Sequence, residues 1–556
     1  MAHTADSVIQ GANIPHIVAN ILSARGMTAA EMAVFVYPDY LRDLHNPMLL
    51  TDMELAVVRI ERAARLNEQV VIYGDYDIDG ITASAVMIEG LAPLGITAIS
   101  YIPDRFEEGY GINRGALELL QSRGAQLVIS VDCGITSIDE ARWAKAHGLD
   151  LIITDHHAVP AVLPEAIAVI NPHRAGERYP FKDLAGVGVA FKVVQALQQR
   201  LGIPSEGQEK WLLDLVAMGT ICDVVPLVGE NRVLATYGLK VLRQTRRIGM
   251  RALCEVGQVD ISKLSAYDVG FVLGPRMNAA GRLEHAARSV ELVLTHSTDT
   301  AQAIAGELEE LNRQRRADQA TILAEADEMA SSYADDSVLL LAHSDWSHGV
   351  VGIVASKLAE KWQKPVLLAQ VLGDRVKGSA RSVPGFNMVE ALRSQAHLLE
   401  KFGGHFFAAG YTLPVSRMGE LRLGLNDYYR ATMLAQSATA ASKPDISLAD
   451  MEQVDAALMD SLVLLEPHGN ANPRPLVLLS DLRVLNVRRV GADKKHLSLK
   501  LIDAMRRPLS AIGFNLAERY AGLAEGAIIR VAGTLSNNEY QGKTSIQMIL
   551  SDISYE

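Results

Sequence analysis

Cysteine is scarce. Among 556 residues there are three, Cys133, Cys222 and Cys254, and no two stand in a C-x-x-C spacing. This excludes a disulfide framework and a thiolate zinc site, and it fits a reducing compartment. An excess of positive charge is also missing: Lys and Arg total 53 against 65 for Asp and Glu, a formal net charge of −12. A general nucleic-acid coat is thereby excluded, but a local basic groove is not. Aromatic residues make up only 5% of the chain, so base-stacking platforms must be few. No apolar run reaches the ~18 residues a spanning helix requires. The opening MAHTADSVIQGANIPH has neither a basic n-region nor an apolar h-region, so the expectation is a soluble, cytoplasmic chain without membrane contact.

The stretch VVIYGDYDIDGITASAV sets an apolar run, Val70 to Tyr73, before Asp75, Asp77, Asp79 and Gly80. D-x-D-x-D-G is how an EF-hand calcium loop begins, but that loop needs a bidentate Glu at its twelfth position and a helix leading in. Counted from Asp75 the twelfth residue is Val86, and what leads in is a short β-rich run. The calcium reading fails on both counts.

From Glu54 onward, short buried strands alternate with helices: VVIYGD, AISYIPD, LVISVDCG, LDLIITDHH and AIAVINPH. That alternation predicts a parallel sheet. Asp75 to Asp79, Asp132, and Asp155 with His156 and His157 fall at the carboxyl ends of those strands, where open α/β sheets place their ligand crevice. A long helical pattern, TAQAIAGELEELNRQRRADQATILAEADEMASS, connects to a second α/β unit. After the small, polar QSATAASKPD come alternating runs such as HLSLKLID and TSIQMILSDI, which read as an antiparallel β domain of OB type.

Asp77, Asp79, Asp132, His156 and Asp223 offer four carboxylates and an imidazole, a set suited to Mn²⁺ or Mg²⁺. So many anions in one crevice repel one another unless metals neutralise them. Two ions about 3.5–4 Å apart could clamp a phosphate and activate water. Asp132 is the candidate for the shared ligand, because its strand should lie near the sheet centre. The chemistry expected is phosphoester or phosphoanhydride hydrolysis.

GDYDIDG (Gly74 to Gly80), VDCGI (Val131 to Ile135), TDHH (Thr154 to His157) and GTICDVVPL (Gly219 to Leu227) resemble the four motifs of the DHH phosphoesterases. PDRFEEGYGIN, GPRMNAAGR, HGVVGIVASKL, GSARS and GGHFFAAG are similar to further motifs of the single-stranded-DNA exonucleases among them, in the same order. The resemblance implies metal binding by Asp77, Asp79, Asp132, His156 and Asp223, with His157 directed at the scissile phosphate. Asp155 would lie behind the ligands and fix an imidazole by a hydrogen bond. There is one departure: many members carry a metal-binding His four residues before the first ligand Asp, and here Tyr73 stands there. Either Asp75 compensates or the first metal binds weakly.

The domains expected are an N-terminal helical segment (1–50), a catalytic α/β domain of DHH type (51–298), a connecting helix (299–333), a DHH-associated α/β domain (334–436), a linker (437–450) and an OB-like nucleic-acid-binding domain (451–556). Arg276, Asn278 and Arg282, in what reads as a Gly-Pro-started loop, could hold phosphates. Lys377, Ser379, Arg381, Ser382 and His405 lie among glycines whose amides can cradle phosphate. In the last domain Arg488, Arg489, Lys494 and Lys495 make a basic patch, with Phe514 or Tyr540 for stacking. GVGVAF at Gly186 does not fit a dinucleotide fingerprint and is assigned no nucleotide role.

The function implied is a monomeric, metal-dependent 5′-to-3′ exonuclease that degrades single-stranded DNA to 5′-mononucleotides in repair, including mismatch repair, and recombination. Single-stranded-DNA-binding protein and repair helicases are the partners implied. Two alternatives stand beside it. One is a phosphodiesterase of short oligonucleotides or cyclic dinucleotides, which the extra β domain argues against. The other is a non-catalytic DNA-binding scaffold, which should have lost metal ligands; every acidic ligand and both histidines are present here, and only Tyr73 supports it.

Overall fold

The computed structural model describes residues 13–104, 108–109, 111–283, 285–433, 444–448, 451–540 and 543–555. Five parallel strands, β1 (Val70–Tyr73), β2 (Ile99–Tyr101), β3 (Leu127–Val131), β4 (Asp150–Thr154) and β5 (Ala168–Ile170), form the first sheet in the order β2-β1-β3-β4-β5. The central strand is β3, which places Asp132 at the middle of the crevice edge, as expected. The runs of β1, β3, β4 and β5 are mostly apolar and buried because helices cover both faces. Val70 and Ile72 of β1 pack toward the Met53–Leu66, Ile78–Leu91 and Gly186–Leu201 helices. Val71 and Tyr73 pack toward the Arg114–Ser122 and Ile138–Ala146 helices. A bundle that includes Leu213–Cys222, Gly229–Leu242 and Gly274–Leu283 completes this domain.

The Thr298–Ser331 helix has 34 residues and is about 50 Å long. Ala301, Ile304 and Leu308 join the core of the first domain, whereas Ile322, Ala326 and Ala330 join that of the second. The second sheet has the order β6-β7-β8-β10-β9, with β6 (Leu339–His343), β7 (Val366–Leu372), β8 (Arg375–Arg381), β9 (Lys401–Gly404) and β10 (Ala408–Pro414).

The last sheet contains β11 (Ile446–Leu448), β12 (Val477–Val490), β13 (His496–Ile502), β14 (Pro508–Gly513), β15 (Ile528–Tyr540) and β16 (Lys543–Tyr555). Pairing of β12 with both β13 and β15 closes an OB-like five-stranded barrel. One boundary differs from the sequence reading. Part of the segment expected to be linker, Ile446–Leu448, is a strand parallel to β12, while residues 437–443, 449 and 450 lie outside the described residues. The N-terminal His16–Ala24 and Ala29–Val36 helices share the barrel's core, with Ile21, Leu22 and Phe35 packed among Leu462, Leu479 and Val531. A short chain-terminal segment cannot bury its own apolar face, and it finds cover here across more than four hundred residues of sequence, where Arg25 Nε meets Asp445 Oδ1 at 2.9 Å.

Candidate metal centre and nucleic-acid interface

Each acidic side chain is fixed at or near the end of a strand or helix. After β1, Asp77 caps the Ile78–Leu91 helix, its Oδ1 accepting from the N–H groups of Asp79 (2.9 Å) and Gly80 (3.2 Å). Asp79, one step into that helix, is 1% exposed. Its carboxylate accepts from Gly186 N–H at 2.6 Å and Val187 N–H at 2.8 Å. These are the orphan donors of the Gly186–Leu201 helix, whose own cap residue, Ala185, offers no side-chain acceptor. Asp132 follows β3 at φ +61°, a left-handed conformation that Asp tolerates better than most residues. Asp223 ends the Leu213–Cys222 helix.

His156 Nε2 lies 3.1 Å from Asp132 Oδ1, 3.7 Å from Asp79 Oδ2 and 3.7 Å from Asp223 Oδ2. Three groupings bring their donor atoms within 4.8 Å of one another: Asp79–His156–Asp223, Asp75–Asp77–Asp132 and Asp132–His156–His157. Asp132 belongs to two of them. Among the described residues, buried Asp132 Oδ1 and His156 Nε2 have no hydrogen-bond partner, and leaving two such atoms unsatisfied is costly unless a cation serves both. Hard oxygens with an imidazole fit Mn²⁺ or Mg²⁺.

The electrostatics agree. Burial, and then the charge of Asp77, push the Asp79 carboxyl up to about 7. Burial with Asp79 and Asp77 pushes Asp223 up to about 9. Asp132 is raised well above the carboxylate range by burial and by Asp79, Asp77, Asp75 and Asp223. Burial and the neighbouring His157 lower His156 to about 4. His157 behaves oppositely. Burial pulls it down, but the hydrogen bond and charge of Asp155 outweigh this and raise it to about 8. Asp155 Oδ1 accepts from the His156 and His157 N–H groups and from His157 Nδ1, and its Oδ2 from Ile135 N–H. The expected hydrogen bond between Asp155 and an imidazole is therefore made, with His157 as its partner.

Tyr73 does not approach this cluster. It lies on the opposite face of β1, its hydroxyl donating to Gly111 O at 3.1 Å and accepting from Asn113 Nδ2 at 3.2 Å. Asp75, not Tyr73, sits with Asp77 and Asp132.

The residues expected to hold phosphate divide. GPRMNAAGR is a helix, Gly274–Leu283, rather than a loop. Buried Arg276 turns into an ion pair with half-buried Glu309 and a 2.6 Å bond to Val272 O, so it braces the connecting helix. Asn278 Oδ1 accepts from Ile78 N–H at 3.2 Å, beside Asp77. A Cβ on Gly281 would stand 2.5 Å from Tyr76 O, so this helix lies directly against the metal loop. Arg282 Nη1 donates to Gly349 O at 3.0 Å, at the start of the His348–Trp362 helix of the second domain. Across that first turn, Ser379 Oγ and Arg381 Nη2 both come within 3.2 Å of where a Cβ on Gly352 would be. Lys377 lies on the same strand, β8. Ser382 donates instead to Phe386 O at 2.5 Å and shapes its own turn, while His405 is exposed between β9 and β10.

On the barrel, Arg488 and Arg489 of β12 lie opposite Ser498 and Leu497 of β13. Both are exposed, as are Lys494 and Lys495 in the turn, and Lys495 pairs with Asp493 at 3.0 Å. Phe514 is 56% exposed and meets His496 edge-on at 5.4 Å. The Tyr540 side chain lies outside the described residues.

Sequence reasoning missed Gly186 and Gly219. A Cβ on Gly186 would stand 2.5 Å from Asp132 Oδ1, and one on Gly219 2.8 Å from Asp79 Oδ1, so both are required by the close approach of carboxylates. It also missed two exposed aromatic pairs, Phe406–Phe407 and Tyr267–Phe271, with ring centroids 4.8 and 4.9 Å apart. Phe406 and Phe407 lie inside GGHFFAAG, and Tyr267 and Phe271 shortly before GPRMNAAGR, which is the one sequence signal that could have flagged them.

Three family profiles match: the DHH family, N-terminal domain, over residues 69–220, the DHHA1 domain over 335–431 and the RecJ OB domain over 445–552. The single-stranded-DNA-specific exonuclease RecJ of Bacillus subtilis is 38% identical over 549 residues, covering 98% of this chain and 69% of the relative. The Escherichia coli protein of the same name is 34% identical over 98% of this chain and 96% of its own length. Among solved structures, RecJ of Thermus thermophilus in complex with Mn²⁺ superposes with a TM-score of 0.84 at 29% identity, covering 100% of this chain and 78% of that one. Its complex with Mg²⁺ gives 0.78 at 28%, covering 100% of this chain and 77% of that one.

Proposed function

The chain belongs to the RecJ single-stranded-DNA-specific exonucleases of the DHH family, and from that premise we propose that it removes nucleotides from the 5′ end of single-stranded DNA at the Asp132 crevice. It is a metal-dependent enzyme acting on single-stranded DNA. The observation that carries the site assignment is the convergence of Asp75, Asp77, Asp79, Asp132, His156 and Asp223, with two buried donor atoms left unsatisfied.

In the reading we favour, Asp79, His156 and Asp223 would hold one ion and Asp75 and Asp77 the other, with Asp132 as the ligand they would share. Bound there, divalent ions would supply Lewis-acid polarisation of the phosphate and a water of lowered pKa. His157 is held by Asp155 through Nδ1, which leaves Nε2 as the ring's remaining donor. Cationic near neutral pH, it is suited to bond a phosphate oxygen as charge builds there. Arg282, Ser379, Arg381 and Lys377, with the first turn of the His348–Trp362 helix, would hold the terminal phosphates. The barrel's Arg488, Arg489 and Lys494, with Phe514, would track the incoming strand. Phe406, Phe407, Tyr267 and Phe271 are further candidates for base stacking.

Release of 5′-mononucleotides, action as a monomer in the cytoplasm, a role in repair and recombination, and cooperation with single-stranded-DNA-binding protein and helicases belong to the same reading. No observation favours the short-substrate or scaffold alternatives, and the scaffold reading loses its one support because Tyr73 faces the other side of β1. The test is digestion of internally labelled single-stranded DNA blocked at one end, with Mn²⁺, Mg²⁺ or chelator. Mononucleotide release stopped only by a 5′ block is expected. Release stopped only by a 3′ block would overturn the polarity.

A further inference from the structure

The residues after Asp223 are held by a segment that follows 246 positions later. Val224 has φ +63°, a region a β-branched residue occupies only where its surroundings hold it. Its carbonyl accepts from Asn470 Nδ2 at 2.7 Å. Three residues on, Leu227 N–H donates to the carbonyl of the same Asn470 at 2.8 Å. The Leu227 side chain packs against Gly469, where a Cβ would stand 2.6 Å from Leu227 Cδ1.

The loop that carries Asn470 leads into the barrel and is itself braced. Asn472 donates to Leu465 O and Pro467 O, both at 2.8 Å. Arg25 of the N-terminal segment donates to Asn472 Oδ1 at 2.9 Å and to Pro473 O at 3.0 Å. From the catalytic domain, buried Arg232 reaches the carbonyls of Leu464, Leu465 and Glu466 at 3.1, 3.1 and 2.8 Å. The loop is therefore a rigid part of the junction, and Asn470 is its contact with the stretch that follows Asp223.

We infer that Asn470 is a positioning residue for the metal centre: through Val224 it holds the Asp223 carboxylate where it can bind a divalent ion, so the loop leading into the DNA-binding barrel completes the hydrolytic site. The inference rests on Asp223 being a metal ligand. It also gives a reason for the length of the GTICDVVPL motif, whose last residues contact this loop rather than the metal.

The test measures Mn²⁺ binding by calorimetry on the full chain, without DNA, for wild type, Asn470→Ala, Arg25→Met and Asp223→Asn. Single-stranded-DNA affinity in chelator and melting temperature are measured alongside. Asn470 is on the surface, so its loss should leave the fold intact. Asn470→Ala should weaken the ion that Asp223 binds about 10-fold, with DNA affinity in chelator unchanged. Arg25→Met, which removes one of the loop's several braces and keeps the Asn470 contact, should leave Mn²⁺ binding as in wild type. A wild-type isotherm for Asn470→Ala would overturn the inference. So would an equal loss in Arg25→Met, which would reduce the contact to general bracing. If Asp223→Asn binds Mn²⁺ like wild type, the ligand assignment falls and takes the inference with it. If only Asp223→Asn is impaired, the ligand assignment stands and the inference alone fails.

Discussion

His157 Nδ1 lies 2.8 Å from Asp155 Oδ1, and that carboxylate is wholly buried. The pairing keeps the imidazole charged to about pH 8 and fixes which nitrogen is left for substrate. Asp155→Asn keeps the shape but removes the charge, so His157 should lose its proton at lower pH. A kcat loss of about 10–100-fold near neutral pH is expected, with the alkaline fall of the pH–rate profile displaced to lower pH. An unmoved profile would show that His157 does not act as a cation.

The metal-free crevice should make stability depend on pH. Unfolded carboxyls release their protons near pH 4, but folded Asp79 and Asp223 hold theirs to about 7 and about 9. Pairs raised in this way favour the fold while protonated, and that contribution is lost as pH rises through those values. In chelator the melting temperature should therefore fall from about pH 6 to about pH 9. With saturating Mn²⁺ the ions replace the protons, so the fall should flatten and the metal-induced rise should grow with pH. A metal-induced shift independent of pH would contradict this.

Away from the site, Lys192 Nζ and Glu230 Oε1 pair at 2.7 Å with neither side chain exposed. Glu230 also accepts from Tyr179 Oη at 2.6 Å and from His45 N–H at 2.8 Å. Glu230→Ala leaves an uncompensated buried ammonium and should cost about 3–5 kcal/mol in denaturant melts. Replacing both partners, as Lys192→Met with Glu230→Leu, should cost much less. Equal losses would mean that the charges matter less than the volume.

Much of the first domain was legible because its signals are local: an apolar run, then an acidic residue, repeated at each strand end. Asp132 could even be placed centrally. What was not legible depends on partners distant in sequence. GPRMNAAGR reads as a turn because Gly274 and Pro275 break regular helices, yet here they follow a π-helical turn, Val269–Leu273, that continues into a helix. The guanidinium of Arg276 looked free for phosphate only because Glu309 is 33 positions away. Gly186 looked like a failed nucleotide motif because its actual neighbours, Asp79 and Asp132, belong to other strand ends.

The basic turn of the barrel should act through long substrates. Changing Arg488, Arg489, Lys494 and Lys495 to Ala should weaken binding of long single-stranded DNA and flatten the dependence of log K on log salt by about 0.7 per lost phosphate contact. Lys495 should contribute least, since Asp493 already neutralises it. Cleavage of a dinucleotide should be unchanged. An unaltered salt slope would make the turn a solvated hairpin.

The most direct measurement is turnover of single-stranded DNA by Asp132→Ala across a Mn²⁺ titration, with melting temperature taken on the same sample. If Asp132 bridges the ions, turnover falls on the order of 10³-fold or more, excess Mn²⁺ does not restore it, and the protein stays folded. Turnover within about 10-fold of wild type in a folded variant would contradict the metal centre described here.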